Sequence, residues 1–341
     1  MNFSVSDPFG AANDAAMPML AAALHPDTAR RALAEVVAHW RGDVSSFELQ
    51  AVRVIRHKAG RRALLEYDLS FASDRGDESV TLIGKARAKG LDLRTPATLT
   101  ALRQAGFTAE DPRGVAVPET VGAVPQFRMW LQTKVPGVPL TGRLTGADSP
   151  ALARRVAEAA HQLHAAGAPT ERRHTVADEL SILRQRYTVL TAERPAWRPR
   201  LERLMQACGV LAASLPARPA TGIHRDFYPA QILVDGARLW LLDFDLYCAG
   251  DPALDLGNFL GHLTELALRE HGGPSALRAV EEALEERFIE LAGEQTRAAV
   301  RAYQTFTLAR HVSLSTQYPE RTAFTEALIE VCEHRLGHQP R

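Results

Sequence analysis

The stretch GIHRDFYPAQILVDGARLWLLDFDLYCAGDPALDLGNFL, residues 222–260, decides the fold predicted for this chain. Two apolar, strand-like pieces at 231–234 and 239–242 flank an Asp235-Gly236 turn. A short turn with Gly between two apolar runs is typical of a β-hairpin, because Gly tolerates the positive φ that such turns require. The stretch therefore predicts a chain that folds back on itself at this turn.

Polar side chains converge if this hairpin forms. The fold-back brings Asp226 and Gln231 towards Asp243, so that an acid, an amide and a second acid meet. Hard oxygen ligands of this kind suit Mg²⁺, and a carboxylate beside an attacking hydroxyl suits phosphoryl transfer. Taken singly, such acids are also common turn formers and helix caps, and only their joint spacing favours a site. The residues concerned are Asp226, Gln231, Asp243, Asp245, Asp251 and Asp255.

Two regions of different character meet near Pro136. Upstream, three runs of alternating apolar residues within 49–89 predict antiparallel strands. Downstream, apolar residues recur at helical spacing, and Pro136, Gly137 and Pro139 mark the change. We therefore predict an N-terminal helical extension at 1–44, a small antiparallel β-rich lobe at 45–135 and a larger α-helical lobe at 136–341.

Composition excludes several classes of protein. With 341 residues, 46% of them hydrophobic, the chain is long and apolar enough to bury a core, which excludes a disordered or fibrous protein. Its 40 Lys and Arg residues balance 40 Asp and Glu residues, so no overall charge attracts nucleic acid or a membrane. Cys208, Cys248 and Cys332 form no disulfide or metal motif. No signal peptide or membrane span is indicated, so we expect a cytoplasmic protein without nucleic-acid or membrane partners.

The order of these motifs resembles the aminoglycoside phosphotransferase family, which includes choline kinase-like phosphotransferases. The resemblance rests on H-x-D-x-x-x-x-(N/Q) at 224–231, D-F-D at 243–245 and G-D-P-x-x-D-L at 250–256, with a Leu163-His164 pair and a Pro136-Gly137 segment upstream. It implies an α+β, protein-kinase-like bilobal fold. It also implies that ATP, bound with Mg²⁺, donates its γ-phosphate to a hydroxyl group of a sugar, an aminoglycoside or an amino alcohol.

The resemblance assigns roles to residues in the 222–260 stretch. Asp226 matches the catalytic base, Asp243 matches the metal-binding acid, and Gln231 stands where the family usually has a metal-binding Asn. His224 is expected to order the loop without transferring a proton. Asp251 and Asp255 are expected to hold the catalytic loop by accepting backbone N–H bonds.

The nucleotide-binding residues carry a weaker signal. Lys85 lies at the centre of an alternating strand, and the resemblance makes it the phosphate-binding lysine, with Lys89 as its rival and an ordinary surface lysine as the alternative. The usual partner glutamate on the next helix is missing, and Gln104, Glu66 or Glu110 are possible replacements. The segment resembling the adenine-binding hinge contains Gln132, Thr133, Lys134 and Val135.

Two alternatives stay open for the function. The substitution of Gln231, the missing helix glutamate and a phosphate loop poor in Gly fit a catalytically weak, nucleotide-binding regulatory pseudokinase. A metal-dependent hydrolase is a second alternative, although histidine ligands at regular spacing are missing from the sequence. For the acceptor, Arg310, His311 and Arg321 favour a neutral or anionic compound such as a sugar.

Overall fold

The chain divides into two units, which are described separately. The computed structural model describes residues 3–42, 47–72 and 78–337. One unit comprises Met1–Thr108 and Ala116–Pro136, and the other comprises Ala109–Val115 and Gly137–Arg341. The fold is α+β, as predicted, with a strand-rich first unit and a helix-rich second unit. The predicted boundary between residues 44 and 45 lies outside the described residues.

A six-stranded sheet forms the centre of the first unit. Its strand order is β1-β2-β3-β4-β7-β6, and every pairing is antiparallel except that of β1 with β2, which the alternation did not predict. From the N-terminus to Thr133, the strands are β1 (Ser4–Ser6), β2 (Glu48–Lys58), β3 (Arg62–Phe71), β4 (Glu78–Arg87), β5 (Val115–Ala116), β6 (Thr120–Val124) and β7 (Met129–Thr133). The helices of the same part of the chain are α1 (Met19–Leu24), α2 (Pro26–Arg41) and α3 (Arg94–Gln104).

The two faces of this sheet differ because side chains alternate along each strand. One face is apolar and forms a single core with the N-terminal helices, in which Leu33 and Val37 of α2 join Leu65 and Tyr67 of β3. The Tyr67 hydroxyl donates to the Ala23 carbonyl oxygen at 3.2 Å, which satisfies a polar group within this core. The N-terminal helices therefore cover one face and leave the opposite face to polar side chains.

Helices dominate the second unit. A four-stranded sheet of order β5-β11-β10-β8 and a two-stranded sheet of β12 and β9 accompany them. The strands are β8 (Val138–Pro139), β9 (Thr221–Ile223), β10 (Ile232–Asp235), β11 (Arg238–Leu241) and β12 (Cys248–Gly250). The helices are α4 (Ser149–Ala165), α5 (Val176–Glu193), α6 (Arg198–Ala213), α7 (Ala253–Glu270), α8 (Arg278–Ala292), α9 (Arg297–Ser315), α10 (Pro319–Thr322) and α11 (Thr325–Arg335).

Helices α7 and α9 pack closely because α7 carries two glycines at its contact surface. A Cβ atom at Gly257 would lie 2.7 Å from the Gln304 backbone nitrogen, and one at Gly261 would lie 2.6 Å from the Thr307 methyl carbon. Real Cβ atoms do not approach so closely, so only glycine permits this helix separation. The contact sets α7, which carries Asp255, against α9, which carries Arg310.

Two predictions about the whole chain can be compared with the structure. Cys208, Cys248 and Cys332, for which no disulfide was predicted, are buried free thiols. Burial raises the pKa of Cys208 to about 12, which keeps this thiol protonated near neutral pH. Within the described ranges, no helix is long and apolar enough to cross a membrane.

Candidate active site

The predicted hairpin forms in the second unit and sets two loops side by side. Strands β10 and β11 pair from Ile232 with Leu241 to Asp235 with Arg238, so the turn is two residues long. Gly236 in this turn has φ +57°, the positive φ that the sequence predicted for glycine there. The loop before β10 carries Asp226, and the turn after β11 carries Asp243.

A second pair of strands closes the opposite ends of the two loops. Strand β9 pairs with β12 antiparallel, with Ile223 opposite Cys248. The loop with Asp226 thus runs from β9 to β10, and the turn with Asp243 runs from β11 to β12. Because both flanking pairs are hydrogen-bonded, each loop is held against the other at both ends.

Backbone bonds join the Asp226 loop to the residue before Asp243. The Leu242 N–H donates to the Gln231 carbonyl oxygen at 2.9 Å, which makes Gln231 and Asp243 neighbours. His224 is fully buried, and its Nε2 lies 2.7 Å from the Leu242 carbonyl oxygen. His224 therefore orders the loop through hydrogen bonds, as predicted. The loop that carries Asp226 and Gln231 is thus hydrogen-bonded to the residue that precedes Asp243.

Asp255 fixes the start of the loop, and the prediction of its role is confirmed. Its side chain is completely buried and accepts from the backbone N–H of His224 at 2.8 Å and of Arg225 at 2.7 Å. His164 Nε2 lies 2.9 Å from the same carboxylate, which ties α4 to α7 and to the loop. Hydrogen bonds to a buried charge are among the stronger ones in proteins, so this carboxylate strongly restrains the loop.

The matching prediction for Asp251 is wrong. Its Oδ1 accepts from the Ala253 N–H at 3.0 Å and lies 3.3 Å from Arg218 Nε, so it stabilises the first turn of α7 and does not hold the loop. Burial raises the pKa of Asp251 above its ordinary value, although the Ala253 N–H opposes this shift. The structure thus separates two acids of one motif into different roles.

Replacing Asp255 with Ala should lower the free energy of unfolding by about 3–5 kcal/mol, because His164 and two buried backbone donors lose their partner. Chemical denaturation followed by circular dichroism measures this change. Asp251→Asn, just before the start of the same helix, is the matched control, since an amide oxygen still accepts from the Ala253 N–H, and it should cost much less. Equal losses for the two variants would contradict the assigned role of Asp255.

Two residues of this site have unusual backbone conformations. Among the described residues, only three that are not glycine have positive φ, and Arg225 at 68° and Asp243 at 61° are two of them. A positive φ is unfavourable for most residues other than Gly, Asn and Asp. Residues with this conformation cluster at functional sites. At Arg225 the bond from its N–H to Asp255 helps to hold this conformation.

The donor set in this region fits a hard divalent cation. Gln231 Nε2 donates to the Tyr228 hydroxyl at 3.4 Å, which leaves the amide oxygen as its remaining ligand atom. Asp243 and Asp226 are both half-buried. No group of three or more His, Cys, Asp or Glu residues in the described ranges is arranged to hold a metal ion. A cation here would be held by a carboxylate and an amide, the oxygen ligands that suit Mg²⁺.

Residues that the sequence did not reveal support the same loop. Asn258 Nδ2 donates to the Phe227 carbonyl oxygen at 3.0 Å, one residue after Asp226. Asn258 lies three positions after Asp255, and this helical spacing is the signal that could have identified it. Tyr228 stacks on His262, with ring centroids 4.4 Å apart, and His262 in turn contacts His311. Helix α7 therefore supports the loop through three of its side chains.

The predicted nucleotide-binding lysine lies on the polar face of the sheet in the first unit. Lys85 on β4 is opposite Trp130 of β7, and its Nζ lies 5.2 Å from the Trp130 ring centroid. Gln132 is opposite Ile83, two residues from Lys85, and so shares this face. Lys89 lies beyond the end of β4, in an exposed turn. Lys85 and Gln132 are thus brought to one face, and Lys89 is not on the strand.

Lys134 and Val135 follow the end of β7. Lys134 Nζ lies 2.6 Å from Glu66 Oε1, and Glu66 also pairs with Arg53 at 3.0 Å. Glu66 was one of the suggested replacements for the missing helix glutamate. Its carboxylate pairs with Lys134 and Arg53. The backbone N–H of Lys134 donates to the Thr81 carbonyl oxygen at 2.8 Å, which joins the end of β7 to β4.

Comparisons with known proteins agree with this geometry. A model of the phosphotransferase enzyme family matches residues 93–303, which is more than half of the chain. No curated protein matches this chain. Since the matched region contains both loops described above, the family assignment and the site concern the same residues.

Solved structures of similar fold include three informative relatives. A choline/ethanolamine kinase family protein from Mesorhizobium loti is 18% identical, with a TM-score of 0.55 over 80% of this chain and 86% of that chain. Choline kinase from Cryptosporidium parvum Iowa II is 12% identical, with a TM-score of 0.57 over 91% and 95%. A thermostable mutant of aminoglycoside phosphotransferase APH(4)-Ia, in a ternary complex with AMP-PNP and hygromycin B, is 15% identical, with a TM-score of 0.54 over 89% and 97%. At these identities the likeness shows the fold.

Proposed function

This chain belongs to the phosphotransferase enzyme family, and we propose that it transfers the γ-phosphate of ATP, bound with Mg²⁺, to a hydroxyl group of a small molecule. One observation carries this proposal. The Asp226 loop and the Asp243 turn are joined through Leu242, whose N–H bonds to Gln231 and whose carbonyl oxygen bonds to His224. This arrangement supports a base beside a metal-binding pair, the combination that phosphoryl transfer requires.

Asp226 is proposed as the general base. Its carboxylate is half-buried, and its position is restrained on one side by His224 and on the other by Phe227, whose carbonyl oxygen accepts from Asn258. A carboxylate held in this way can orient the acceptor hydroxyl and accept its proton as the oxygen attacks the phosphorus. General-base help of this kind is worth about 10²- to 10⁴-fold in rate.

Asp243 and Gln231 are proposed as the ligands of Mg²⁺. When bound, this ion would neutralise charge on the transferred phosphoryl group and its leaving oxygen. The protein's part is to hold the two ligands close together. It does this through the Leu242–Gln231 backbone bond and through the Tyr228 hydroxyl, which accepts from the amide nitrogen of Gln231 and directs its oxygen away.

Lys85 is proposed as the phosphate ligand of the first unit, and Gln132, Lys134 and Val135 as the residues that bind adenine through their backbone. The proposal is supported by the position of Lys85 on the polar face of the sheet, next to Gln132. The backbone N–H of Lys134 already donates to Thr81. Its carbonyl oxygen and the N–H of Val135 are therefore the groups of this segment that we expect to contact the base.

Replacing Lys85 with Met should raise KM for ATP by about 10- to 100-fold, because a charge-assisted bond to a phosphate is worth about 1.5–3 kcal/mol. Met keeps the aliphatic stem against Trp130. The matched control is Lys89→Met, four residues away in an exposed turn, which should leave KM near the wild-type value. Steady-state kinetics with varied ATP measures KM for both variants. A larger increase in KM for the Lys89 variant would identify Lys89 as the phosphate ligand.

The experiment that tests the function is a measurement of ADP release. Purified protein is supplied with Mg-ATP and a panel of sugars, amino alcohols and aminoglycosides, and ADP is followed with a coupled enzyme assay. We expect at least one acceptor to stimulate ADP release above the rate without acceptor. If ATP binds and no acceptor stimulates release, the regulatory pseudokinase is favoured and the proposed transfer is rejected.

A further inference from the structure

A buried carboxylate next to the Asp226 loop pairs with one arginine, and two further arginines lie on the elements that pack near it. This arginine cluster consists of Arg186 on α5, Arg225 in the loop and Arg310 on α9. The carboxylate is Glu179 near the start of α5, of which only 5% is exposed. Each arginine reaches this region from a different element, so the cluster is a product of how α5, α9 and the loop pack together.

Arg310 connects the cluster directly to the catalytic loop. Its Nη1 lies 3.3 Å from Glu179 Oε2, and its Nη2 donates to Asn258 Oδ1 at 2.5 Å. Asn258 in turn donates to the Phe227 carbonyl oxygen at 3.0 Å. The Arg310 guanidinium is therefore two hydrogen bonds away from the residue that follows Asp226.

Arg186 lies on the same side of α5 as Glu179. The two are seven residues, or two helical turns, apart. The neighbouring Tyr187 hydroxyl donates to the Ala309 carbonyl oxygen at 3.0 Å, which sets this part of α5 against α9 beside Arg310. Arg186 is half-buried. Its guanidinium has no hydrogen bond or ion pair with any described residue.

Arg225 directly precedes Asp226. Its backbone is held by the bond from its N–H to Asp255, whereas its half-buried guanidinium likewise has no hydrogen bond or ion pair within the described ranges. Hydrogen bonds from Thr175 lower the pKa of Asp178, and the charge of Arg225 adds to this effect. Burial raises the pKa of Glu179, but the hydrogen bond from His174 and the charges of Arg310, His174 and Arg225 outweigh it and lower that pKa. The loop that carries Arg225 is linked to Glu179 through Phe227, Asn258 and Arg310.

Ion pairs do not engage all three arginines, because within the described residues only Arg310 pairs with a carboxylate, that of Glu179. Glu179 is shared, because its other oxygen lies 2.6 Å from His174 Nε2. Asp178 is exposed and forms a capping box with Thr175 at the start of α5. Partial burial of a guanidinium group without an anionic partner is unfavourable, because no ion pair offsets the free-energy cost of its desolvation. An anion that binds here would provide an ion-pair partner for Arg186 and Arg225.

Two pKa shifts agree with a local excess of positive charge. Burial and the nearby charge of Arg310 lower the pKa of Arg186 below its ordinary value, although Glu179 opposes the shift. Burial, followed by the charges of Arg310, Arg321, Arg269 and Arg186, lowers the pKa of His311 to about 3. The arginines therefore act on one another and on their neighbours as like charges.

We propose that the acceptor is an anionic alcohol, a hydroxyl compound carrying a phosphate or carboxylate group that binds to Arg186 and Arg225 while its hydroxyl lies at Asp226. This inference rests on the proposed function, because it assigns the substrate class of the same site. Its chemical basis is that planar guanidinium groups bind phosphate and carboxylate through paired hydrogen bonds. A cationic acceptor would be repelled by the same groups.

The test compares acceptors that share the six-carbon skeleton of glucose and differ in charge. ADP release with Mg-ATP is measured with glucose, glucosamine, gluconate and glucose 1-phosphate, and the same compounds are titrated calorimetrically into the protein saturated with Mg-AMP-PNP. We expect gluconate or glucose 1-phosphate to have the highest kcat/KM and the tightest binding. Arg186→Gln should raise KM for that anionic acceptor at least about tenfold with little change in kcat.

The matched control is Arg184→Gln, on the same helix but exposed to solvent. It removes the same charge from the chain and should leave KM for the anionic acceptor unchanged. Arg186→Lys should restore part of the affinity, because the positive charge returns without the paired donors. Equal effects of the Arg184 and Arg186 variants would overturn the proposal, since a general electrostatic effect would then explain both.

The outcomes separate this inference from the proposed function. Transfer to glucose or glucosamine with a higher kcat/KM than to the anionic compounds overturns the inference and leaves the proposed function intact. If no compound stimulates ADP release, the calorimetric titration decides the inference alone. Binding of an anionic compound that Arg186→Gln abolishes and Arg184→Gln preserves supports an anion site, and absence of such binding overturns it.

Discussion

The Asp226→Asn variant should lose activity by about 10²- to 10⁴-fold in kcat while it still binds Mg-ATP like the wild-type protein. Asn keeps the size of the side chain but cannot accept the proton of the acceptor hydroxyl. The loop itself should remain in place, because His224, Arg225 and Phe227 are each held by hydrogen bonds that do not involve Asp226. The expected defect is therefore one of turnover.

Two measurements on the same preparation check this result. The coupled ADP assay gives kcat with the best acceptor of the panel, and isothermal titration calorimetry gives Kd for Mg-AMP-PNP. The control is Asp235→Asn, which removes a carboxylate from the far end of the same hairpin, where it pairs with Arg238 at 3.2 Å. An Asp226→Asn protein with wild-type kcat would show that another group is the base.

For Asp243, we expect substitution by Asn to lower kcat about 10³-fold or more and to weaken the dependence of nucleotide binding on Mg²⁺. Metal ions contribute several kcal/mol to the stabilisation of charge in a transition state, and each 1.36 kcal/mol corresponds to a factor of ten in rate. Asn is preferred to Ala here because Asp243 has φ 61°, a conformation that Asn tolerates well. The lost activity can then be attributed to the carboxylate.

Calorimetric titration of AMP-PNP at several Mg²⁺ concentrations measures the effect on binding. In the wild-type protein, Kd should fall as Mg²⁺ increases, whereas in the Asp243→Asn variant it should change little. The Asp235→Asn protein again serves as the control, because both variants remove one negative charge. The proposed role of Asp243 fails if its variant retains the full Mg²⁺ dependence.

The two variants together distinguish the alternatives for this chain. The two roles lead to different expected defects. Loss of the base (Asp226→Asn) should reduce turnover and leave nucleotide binding intact, whereas loss of the metal ligand (Asp243→Asn) should reduce both. A regulatory pseudokinase predicts that neither variant changes the rate of ADP release, because the wild-type protein would have none above the acceptor-free rate. The combination therefore tests the assigned roles and the proposed function in one series.

Local patterns predicted several features of this protein correctly. The β10–β11 hairpin forms at the predicted turn, because apolar runs and Gly236 act within a few residues of each other. Lys85 lies on the polar face of the sheet, as the two-residue period of a strand required. The order of the motifs also led to the family that the comparisons identify.

Other features depend on contacts between distant residues. Glu179 and Arg310 are 131 positions apart, and His164 and Asp255 are 91 positions apart. No local pattern distinguishes Asp255, which holds the loop, from Asp251, which stabilises its own helix. The difference arises because one side chain points towards His224 and His164 and the other towards Arg218.

The sequence by itself determined the α+β class, the hairpin and the set of acids from which a site could be built. Only the tertiary structure decided which acids hold the loop, that Lys134 pairs with Glu66, and that Arg310 pairs with Glu179. The physical reason is that periodicity and turn residues specify neighbours within about one element of structure. Contacts between α5, α7, α9 and the loop follow instead from close packing, as at Gly257 and Gly261.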